Sequence, residues 1–272
     1  MPLEYSRTST RYRVPGGNGH TLAAVLDSPS HDSWIAAGNN AGSQAPLILF
    51  SHCFTCNKDY KATVKISRHL VQRGIAVMRF DMTGLGGSDG DFSQTNFQTN
   101  VRDIDATIRF LQQQGNSVDV LMGHSFGGAA SMAVAASGLL PNLRGIITMA
   151  APSDTVHLGR LLDTMNPAIQ SEGQGTVRIG GFQWTITRQM LDDFAGTDLS
   201  PLIQSIRCPA LLIHSLTDET VSFEHADRIA DQLPGAISRL TFPDADHLFS
   251  SSNHQTSIAD TIAGWLQAIT KS

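Results

Sequence analysis

The chain has 272 residues and a formal net charge of −5, with 41% hydrophobic and 16% charged residues. These values predict a globular protein of one or two domains with a sizeable core. The acidic balance argues against nucleic acid as a partner, because phosphate binding needs a basic surface, and no polybasic segment favours a membrane surface. No apolar run is long enough to span a bilayer, and the N-terminus does not resemble a secretion signal, so we expect a cytoplasmic protein.

The first elements in chain order are predicted to form an antiparallel hairpin. Short strands at Tyr12–Val14 and Thr21–Leu26 flank the turn residues Pro15–Gly19, a pattern typical of a hairpin. The following segment, Ser28–Ala45, is rich in Gly, Asn, Ser and Ala, which favours a loop.

Apolar strands and amphipathic helices then alternate along the chain. The strands are predicted at Leu47–Ser51, Ile75–Phe80, Val118–Met122, Gly145–Met149, Ala210–His214 and Ile237–Phe242. The helices are predicted at Lys58–Arg73, Gln98–Gln114, Phe126–Ser137, Phe223–Gln232 and Ile258–Ile269. Strands that are apolar on both faces and separated by helices predict an α/β fold, a mostly parallel twisted sheet of about eight strands covered by helices on both faces.

The segment 152–207 interrupts this alternation with mixed helix and strand signals. We predict that it is a small cap inserted into a core domain made of residues 1–151 and 208–272, with two helices that flank a hairpin near Val177–Thr187. Aromatic side chains of this segment and of a later loop are candidates for an apolar acyl pocket, although they are equally typical of an ordinary core. These pocket candidates are Phe182, Trp184, Phe194 and Phe249.

The sequence Gly123-His124-Ser125-Phe126-Gly127 follows one predicted strand and precedes a predicted helix. It fits the pattern Gly-x-Ser-x-Gly, in which a sharp strand-to-helix turn lifts the serine side chain above the sheet edge. The two glycines remove side chains that would collide in this turn, and the helix N-terminus directs its amides at the same place. We therefore predict Ser125 as a nucleophile; the alternative is a turn that only caps a helix.

A serine hydroxyl needs a general base, and in this arrangement an acidic residue and then a histidine follow the serine along the chain. Asp218 comes after the strand Ala210–His214 and His247 after the strand Ile237–Phe242, so both are expected at the carboxyl ends of strands. We expect Asp218 to orient His247, which accepts the proton of Ser125. The other carboxylates and histidines near these loops are weaker candidates: Glu219, Asp244, Asp246, His214, His225 and His254.

Acyl transfer also needs two amide donors for the developing oxyanion. One is the amide of Phe126, directly after the nucleophile, and the other is expected from the loop after the strand Leu47–Ser51. In that loop the amide of Phe54 is our first choice and that of Cys53 the second.

The same loop contains a Cys-x-x-Cys pair, Cys53 and Cys56, while the third cysteine, Cys208, is distant in sequence. No second cysteine pair is available to complete a structural zinc site, and three cysteines make no disulfide framework. A redox-sensitive pair and half a metal site remain open alternatives, but the pattern favours an ordinary packing or loop role.

The chain resembles the α/β-hydrolase superfamily over nearly its whole length. The resemblance is carried by His52–Phe54, Asp81–Ser88, Gly123–Gly127, His214–Asp218 with Val221, and Asp246–His247. Within the superfamily, His52–Asp59 and Phe80–Gly86 are similar to small hydrolases related to the half that precedes the OsmC-like domain in some bacterial fusion proteins. The resemblance implies a serine hydrolase triad at Ser125, Asp218 and His247, and no cofactor.

We therefore expect a hydrolase of small-molecule carboxylic esters with short to medium acyl chains, acting without a metal. The glycines of Asp81–Ser88 lack the dinucleotide-binding spacing, and they are interpreted as a structural turn. Two alternative enzymes are a thioesterase and an aminopeptidase-like peptidase; the latter would need acidic groups such as Glu172, Asp192 and Asp193 to meet a substrate ammonium. A third alternative is a binding protein that keeps the pocket without turnover.

Overall fold

A computed structural model describes residues 4–270 of the chain, in which strands and helices alternate from residue 47 onward. The strands are β1 Arg7–Pro15, β2 Thr21–Pro29, β3 Leu47–Ser51, β4 Ala76–Phe80, β5 Val120–His124, β6 Gly145–Met149, β7 Gln174–Ile179, β8 Phe182–Thr187, β9 Ala210–Ser215 and β10 Ile237–Phe242. The α-helices are α1 His31–Ala36, α2 Lys61–Gln72, α3 Phe97–Gln113, α4 Phe126–Ala136, α5 Val156–Met165, α6 Ala168–Glu172, α7 Arg188–Gly196, α8 Ser200–Ser205, α9 Glu224–Gln232 and α10 Ser252–Thr270. A short 3₁₀ helix lies at Phe92–Gln94.

Eight strands form one sheet in the order β1-β2-β4-β3-β5-β6-β9-β10. The strands from β4 to β10 in this order are parallel to one another, whereas β1 and β2 are antiparallel to each other and β2 is antiparallel to β4. The predicted mostly parallel sheet is thereby confirmed.

The N-terminal hairpin is longer than the sequence pattern indicates. Strands β1 and β2 pair over their full lengths, from Arg7 opposite Pro29 to Pro15 opposite Thr21. The predicted loop Ser28–Ala45 is partly wrong, because β2 extends to Pro29 and helix α1 follows it, with Ser30 accepting a hydrogen bond from the Ser33 amide. No residue of this helix is buried, which explains why no apolar periodicity marked it.

The core lies in two layers because successive residues of a strand point to opposite faces of the sheet. Leu47 and Leu49 of β3 belong to the layer that also contains α3 and α4, whereas Ile48 and Phe50 belong to the layer formed with α2 and α10. Each of these four side chains is almost completely buried. Helices on both faces therefore explain the uninterrupted apolar run of this strand.

Buried charges join the loop after β3 to the turn after β4. The Asp81 carboxylate accepts hydrogen bonds from the Lys58 amide, the Lys58 ammonium and the Gly87 amide. Gly86 has a φ of +55°, and a Cβ at this position would meet the Asp81 carboxylate. These contacts agree with the interpretation of Asp81–Ser88 as a structural turn.

The segment between β6 and β9 contains helices α5 to α8 and the antiparallel hairpin of β7 and β8. The predicted hairpin is confirmed, but four helices flank it rather than two, because α6 and α8 are short helices that carry little periodicity. Among the described residues, no helix combines the length and apolar character needed to cross a bilayer.

Candidate active site

The candidate site lies where the order of the strands reverses. From β3 the chain first adds β4 on one side and then β5 on the other, so the loops after β3 and β5 leave the sheet side by side. Crevices at the carboxyl ends of strands at such a switch point are the usual ligand sites of α/β sheets. The loops after β9 and β10 leave the same edge, because all four strands are parallel.

Ser125 occupies the sharp turn between β5 and α4. Its backbone has a φ of +53° and a ψ of −124°, a conformation that non-glycine residues rarely adopt. Side chains at Gly123 and Gly127 would meet the backbone of residues 127–128 and of residues 51–52 respectively, so only glycine fits at either position. The Ser125 amide donates a 2.7 Å hydrogen bond to the Met149 carbonyl, which fixes the turn against β6.

The three residues predicted as a triad are brought together by three different loops. The distance between His247 Nε2 and Ser125 Oγ is 3.0 Å, and that between His247 Nδ1 and Asp218 Oδ2 is 2.8 Å. Both are hydrogen-bond distances, and the order of contacts is that of a nucleophile, a base and an orienting carboxylate. Ser125 is 8% exposed and Asp218 7%, so the arrangement is largely shielded from water.

The environment of Asp218 keeps this carboxylate ionised. Burial alone would raise the pKa of Asp218, but the hydrogen bond and charge of His247 and the amides of Val221 and Thr220 outweigh burial and hold the pKa below its ordinary value. Both amides donate 2.9 Å hydrogen bonds to Oδ1, which leaves Oδ2 for His247. Asp218 thus accepts three hydrogen bonds in a fixed orientation.

His124, inside the Gly-x-Ser-x-Gly sequence, supports the base through its backbone. Its Nε2 lies 2.8 Å from the carbonyl oxygen of His247, and the two rings are 5.2 Å apart. Burial lowers the pKa of His124 to about 3, so the ring is neutral and Nε2 donates to the carbonyl. Sequence reasoning missed this residue, because a side-chain bond to a distant backbone carbonyl leaves no local signal.

The amides of Phe54 and Phe126 lie in the loops that border Ser125. Both residues line the same cleft as Ser125, and their rings make an edge contact with centroids 5.7 Å apart. No hydrogen bond found within residues 4–270 uses either amide, which leaves both available as donors. His52 anchors the loop: its Nδ1 lies 2.8 Å from the Cys53 carbonyl, and its Nε2 accepts from the Met82 amide at 3.1 Å.

The two cysteines of this loop are joined by a disulfide between Cys53 and Cys56. This bond was not predicted from the sequence, and it is compatible both with the expected loop role and with the alternative of a redox-sensitive pair. Cys208 is a free thiol, and burial raises its pKa to about 11. The sequence could not decide between a bond and two thiols, because Cys-x-x-Cys spacing permits both.

A cleft of about 1050 Å³ opens above Ser125 and His247. Its apolar wall comes from α5 and the β7–β8 hairpin: Leu158, Leu161, Met165, Ile179 and Phe182. Helix α5 is tied to the loop of Asp218, since His157 Nε2 lies 2.7 Å from the Thr220 carbonyl. The cleft is large enough for a small-molecule substrate.

Of the four aromatic pocket candidates, only Phe182, at 70% exposure, lies on the wall of this cleft. The other three do not line this cleft: Trp184 packs against Phe92, Phe249 packs in the layer under His124, and Phe194 packs against Phe126 beside a much smaller cavity. Phe194 and Phe249 are completely buried. Phe182 and Trp184 lie on the same face of strand β8, and they differ in burial because Phe182 is at the exposed tip of the hairpin whereas Trp184 lies further along the strand against Phe92.

The acidic residues considered for binding an ammonium are not on the cleft wall either. Glu172 and Asp192 are exposed elsewhere, and Asp193 accepts a 2.8 Å hydrogen bond from the Phe97 amide at the start of α3. Within residues 4–270, no group of three or more His, Cys, Asp or Glu side chains is arranged to hold a metal ion.

Comparison with known proteins assigns the chain to a family. The model of the Alpha/beta hydrolase family matches residues 48–260, which include every residue of the candidate site. The chain belongs to the alpha/beta hydrolase family. The esterase domain of a Rhodothermus marinus protein is 33% identical to this hydrolase, with a TM-score of 0.69, and the match covers 96% of this chain and 97% of that domain.

Two further relatives of this alpha/beta hydrolase are more distant. Rat palmitoyl-protein thioesterase ABHD10, a mitochondrial protein, is 25% identical over 74% of this chain, and the match spans 66% of the rat protein's length. The structure of Est1E from Butyrivibrio proteoclasticus with ferulic acid has a TM-score of 0.79 at 19% identity, covering 96% of this chain and all of the other (100%), which shows a shared fold.

The lowered pKa of Asp218 predicts how stability depends on pH. A carboxylate with a lowered pKa in the folded state stabilises the protein above its ordinary pKa, and this contribution is lost as the pH falls through the folded value. From about pH 6 to about pH 3, the free energy of unfolding in urea should therefore fall more in the native protein than in Asp218→Asn. The exposed Asp192→Asn variant is the matched control and should follow the native protein; equal slopes for Asp218→Asn would contradict the account.

Proposed function

We propose that this alpha/beta hydrolase cleaves carboxylic esters with short to medium acyl chains through a Ser-His-Asp triad and an acyl-enzyme intermediate. The observation that carries the proposal is the pair of hydrogen bonds of His247, to Ser125 Oγ and to Asp218 Oδ2. The esterase domain at 33% identity supports the choice of ester substrates.

Acylation begins when Ser125 Oγ attacks the carbonyl carbon of the ester while His247 Nε2 takes the hydroxyl proton. The Nδ1–H of His247 donates to Asp218, which fixes the tautomer in which Nε2 has a free lone pair, and the ionised carboxylate stabilises the imidazolium that forms. The backbone carbonyl of His247 is held by His124, which limits movement of the ring during this transfer.

The negative charge that develops on the carbonyl oxygen needs donors that are already in place. The amides of Phe54 and Phe126 are proposed to supply two hydrogen bonds, and the first turn of α4 adds the positive end of its dipole. His247 then gives its proton to the leaving alcohol, and an acyl group remains on Ser125. Water, activated by the same histidine, hydrolyses this acyl-enzyme and restores the serine.

The acyl group is proposed to lie along the apolar wall that α5 and the β7–β8 hairpin provide. Residues 152–207 would then act as a cap over the core domain made of residues 1–151 and 208–272. Phe182, at the tip of the hairpin, is the exposed aromatic side chain best placed to contact the distal part of an acyl chain.

Thioesters are the second candidate substrates, because the rat and mouse relatives are named as palmitoyl-protein thioesterases. The same nucleophile, base and oxyanion donors serve thioester and ester carbonyls alike. The proposal also includes a cytoplasmic location and a place among the small hydrolases related to the first half of hydrolase/OsmC-like fusion proteins.

Removal of the nucleophile tests the proposed reaction. Ser125→Ala should lower kcat for p-nitrophenyl acetate, butyrate and octanoate by at least about a thousandfold, because no acyl-enzyme can form. Ser137→Ala, at the far end of α4, is the matched control and should keep native rates. Parallel assays with thioesters of the same acyl groups show which of the two substrate classes the protein prefers. Folded native protein that hydrolyses neither class would refute the proposed function.

The role of the hairpin tip is tested by chain length. Phe182→Ala should raise KM for p-nitrophenyl octanoate by about five- to thirtyfold, because apolar contact worth about 1–2 kcal/mol is lost, while KM for the acetate stays near the native value. Thr185→Ala, an exposed position on the same strand, is the control. An equal change of KM for both esters would show that Phe182 does not contact the acyl chain.

A further inference from the structure

The disulfide between Cys53 and Cys56 lies in the candidate active site. Both cysteines line the cleft that also contains Ser125 and His247. The bond closes a loop of only three residues' separation, and a cross-link stabilises a fold less as the loop it closes becomes shorter. General stabilisation of the fold therefore does not explain why this disulfide lies in the cleft.

The residues enclosed by this bond include Phe54, whose amide is one of the two proposed oxyanion donors. Phe54 and Thr55 lie between the two cysteines, and the Cys56 amide donates a 3.1 Å hydrogen bond to the Cys53 carbonyl across the turn. Thr55 has a φ of +58°, a conformation that β-branched residues rarely adopt. The disulfide thus closes a strained turn that contains Phe54, a residue of the cleft wall whose amide has no hydrogen-bond partner within residues 4–270.

Both ends of the loop are anchored independently of the disulfide. His52 is hydrogen-bonded to the Cys53 carbonyl on one side, and Asp81 binds the Lys58 amide on the other. The Phe54 ring contacts Phe126 and Phe194 and keeps its place through packing. Opening the disulfide would therefore release the strained turn at Thr55 without unfolding the loop. The group most directly affected is the backbone amide of Phe54, the residue that precedes Thr55.

We propose that Cys53–Cys56 is a thiol–disulfide exchange site for low-molecular-weight thiols, and that its oxidised form holds the oxyanion donor for fast hydrolysis. The inference rests on the proposed function, because its kinetic readout is ester turnover. Cys56 is half-buried whereas Cys53 is 5% exposed, so the incoming thiol reaches the sulfur of Cys56 first.

The exchange proceeds in two balanced steps. The thiolate of the small thiol attacks Cys56 Sγ, the bond between the two cysteine sulfurs breaks, and Cys53 leaves as a thiolate that takes a proton from water. A second molecule of the small thiol then attacks the mixed disulfide, which releases the oxidised small disulfide and leaves Cys56 as a thiol. Two electrons pass from two thiols to the protein disulfide.

Opening the disulfide should lower kcat and leave KM nearly unchanged. An oxyanion donor acts in the transition state rather than in substrate binding, and complete loss of one donor costs about 10²- to 10³-fold in kcat. Displacement of the Phe54 amide, with Phe126 still in place, should cost about 3- to 30-fold.

The experiment compares the oxidised native protein with protein reduced by glutathione or dithiothreitol and freed of reductant by gel filtration. Kinetics with p-nitrophenyl butyrate are measured beside labelling of folded protein with N-ethylmaleimide and a thermal melt of each form. Cys56→Ser cannot form the bond and should have the reduced kcat in every condition. Cys208→Ser is the matched control and should respond like the native protein.

A second pair of variants tests which sulfur is attacked. After treatment with oxidised glutathione, Cys53→Ser should carry a glutathione adduct on Cys56 by mass spectrometry. Cys56→Ser, whose remaining cysteine of the pair is buried, should carry little. Equal adducts in the two variants would contradict the assigned site of attack.

The expected result is a reduced native protein with a newly labelled thiol at Cys56, an unchanged melting temperature and a kcat lowered at constant KM, restored by oxidised glutathione. A labelled thiol with an unchanged kcat would overturn the proposed effect on rate. A disulfide that no thiol opens in the folded protein would overturn the exchange site. A large fall in melting temperature on reduction would assign the disulfide a structural role instead. Native protein without ester turnover in either state would overturn the proposed function and the rate effect together, while labelling would still decide the exchange site.

Discussion

The pair of hydrogen bonds made by the imidazole of His247 is the interaction on which the candidate site depends. One ring nitrogen contacts the Ser125 hydroxyl and the other contacts the Asp218 carboxylate, at 3.0 Å and 2.8 Å. These side chains come from loops after three parallel strands, and they meet because parallel strands end at one edge of a sheet. The sheet is thus the frame that sets the distances, and the ring is the element that couples a weak nucleophile to a fixed negative charge.

The molecule stores strain near this ring and supports it with buried contacts. Ser125 and Thr55 both have a positive φ, and each lies beside an amide proposed to bind the oxyanion. Neighbouring glycines make the first turn possible, and a disulfide closes the second. Strain of this kind persists only where the surrounding structure fixes it, and such sites are common where a protein holds reactive groups ready for a ligand.

The sequence predicted the sheet and the meeting of the three side chains because both depend on local patterns: apolar strands, amphipathic helices, and the order of motifs along the chain. Features that depend on tertiary contacts could not be predicted from the sequence. Trp184 is half-buried, and Phe194 is completely buried, against residues distant in sequence, so their aromatic character could not distinguish a pocket wall from a core. Helix α1 buries no residue and so has no apolar period, while His124 acts on a carbonyl 123 positions away.

The central claim is that Ser125 is a nucleophile activated by His247. Intact-mass measurement after incubation with a fluorophosphonate, followed by peptide mapping, tests it most directly, because the reagent forms a covalent bond only with an activated hydroxyl. The account predicts a single adduct on the peptide that contains Ser125, formed at least about a hundredfold more slowly in His247→Ala. Folded protein that takes up no reagent, or takes it up on another residue, would contradict the account and favour a binding protein without turnover.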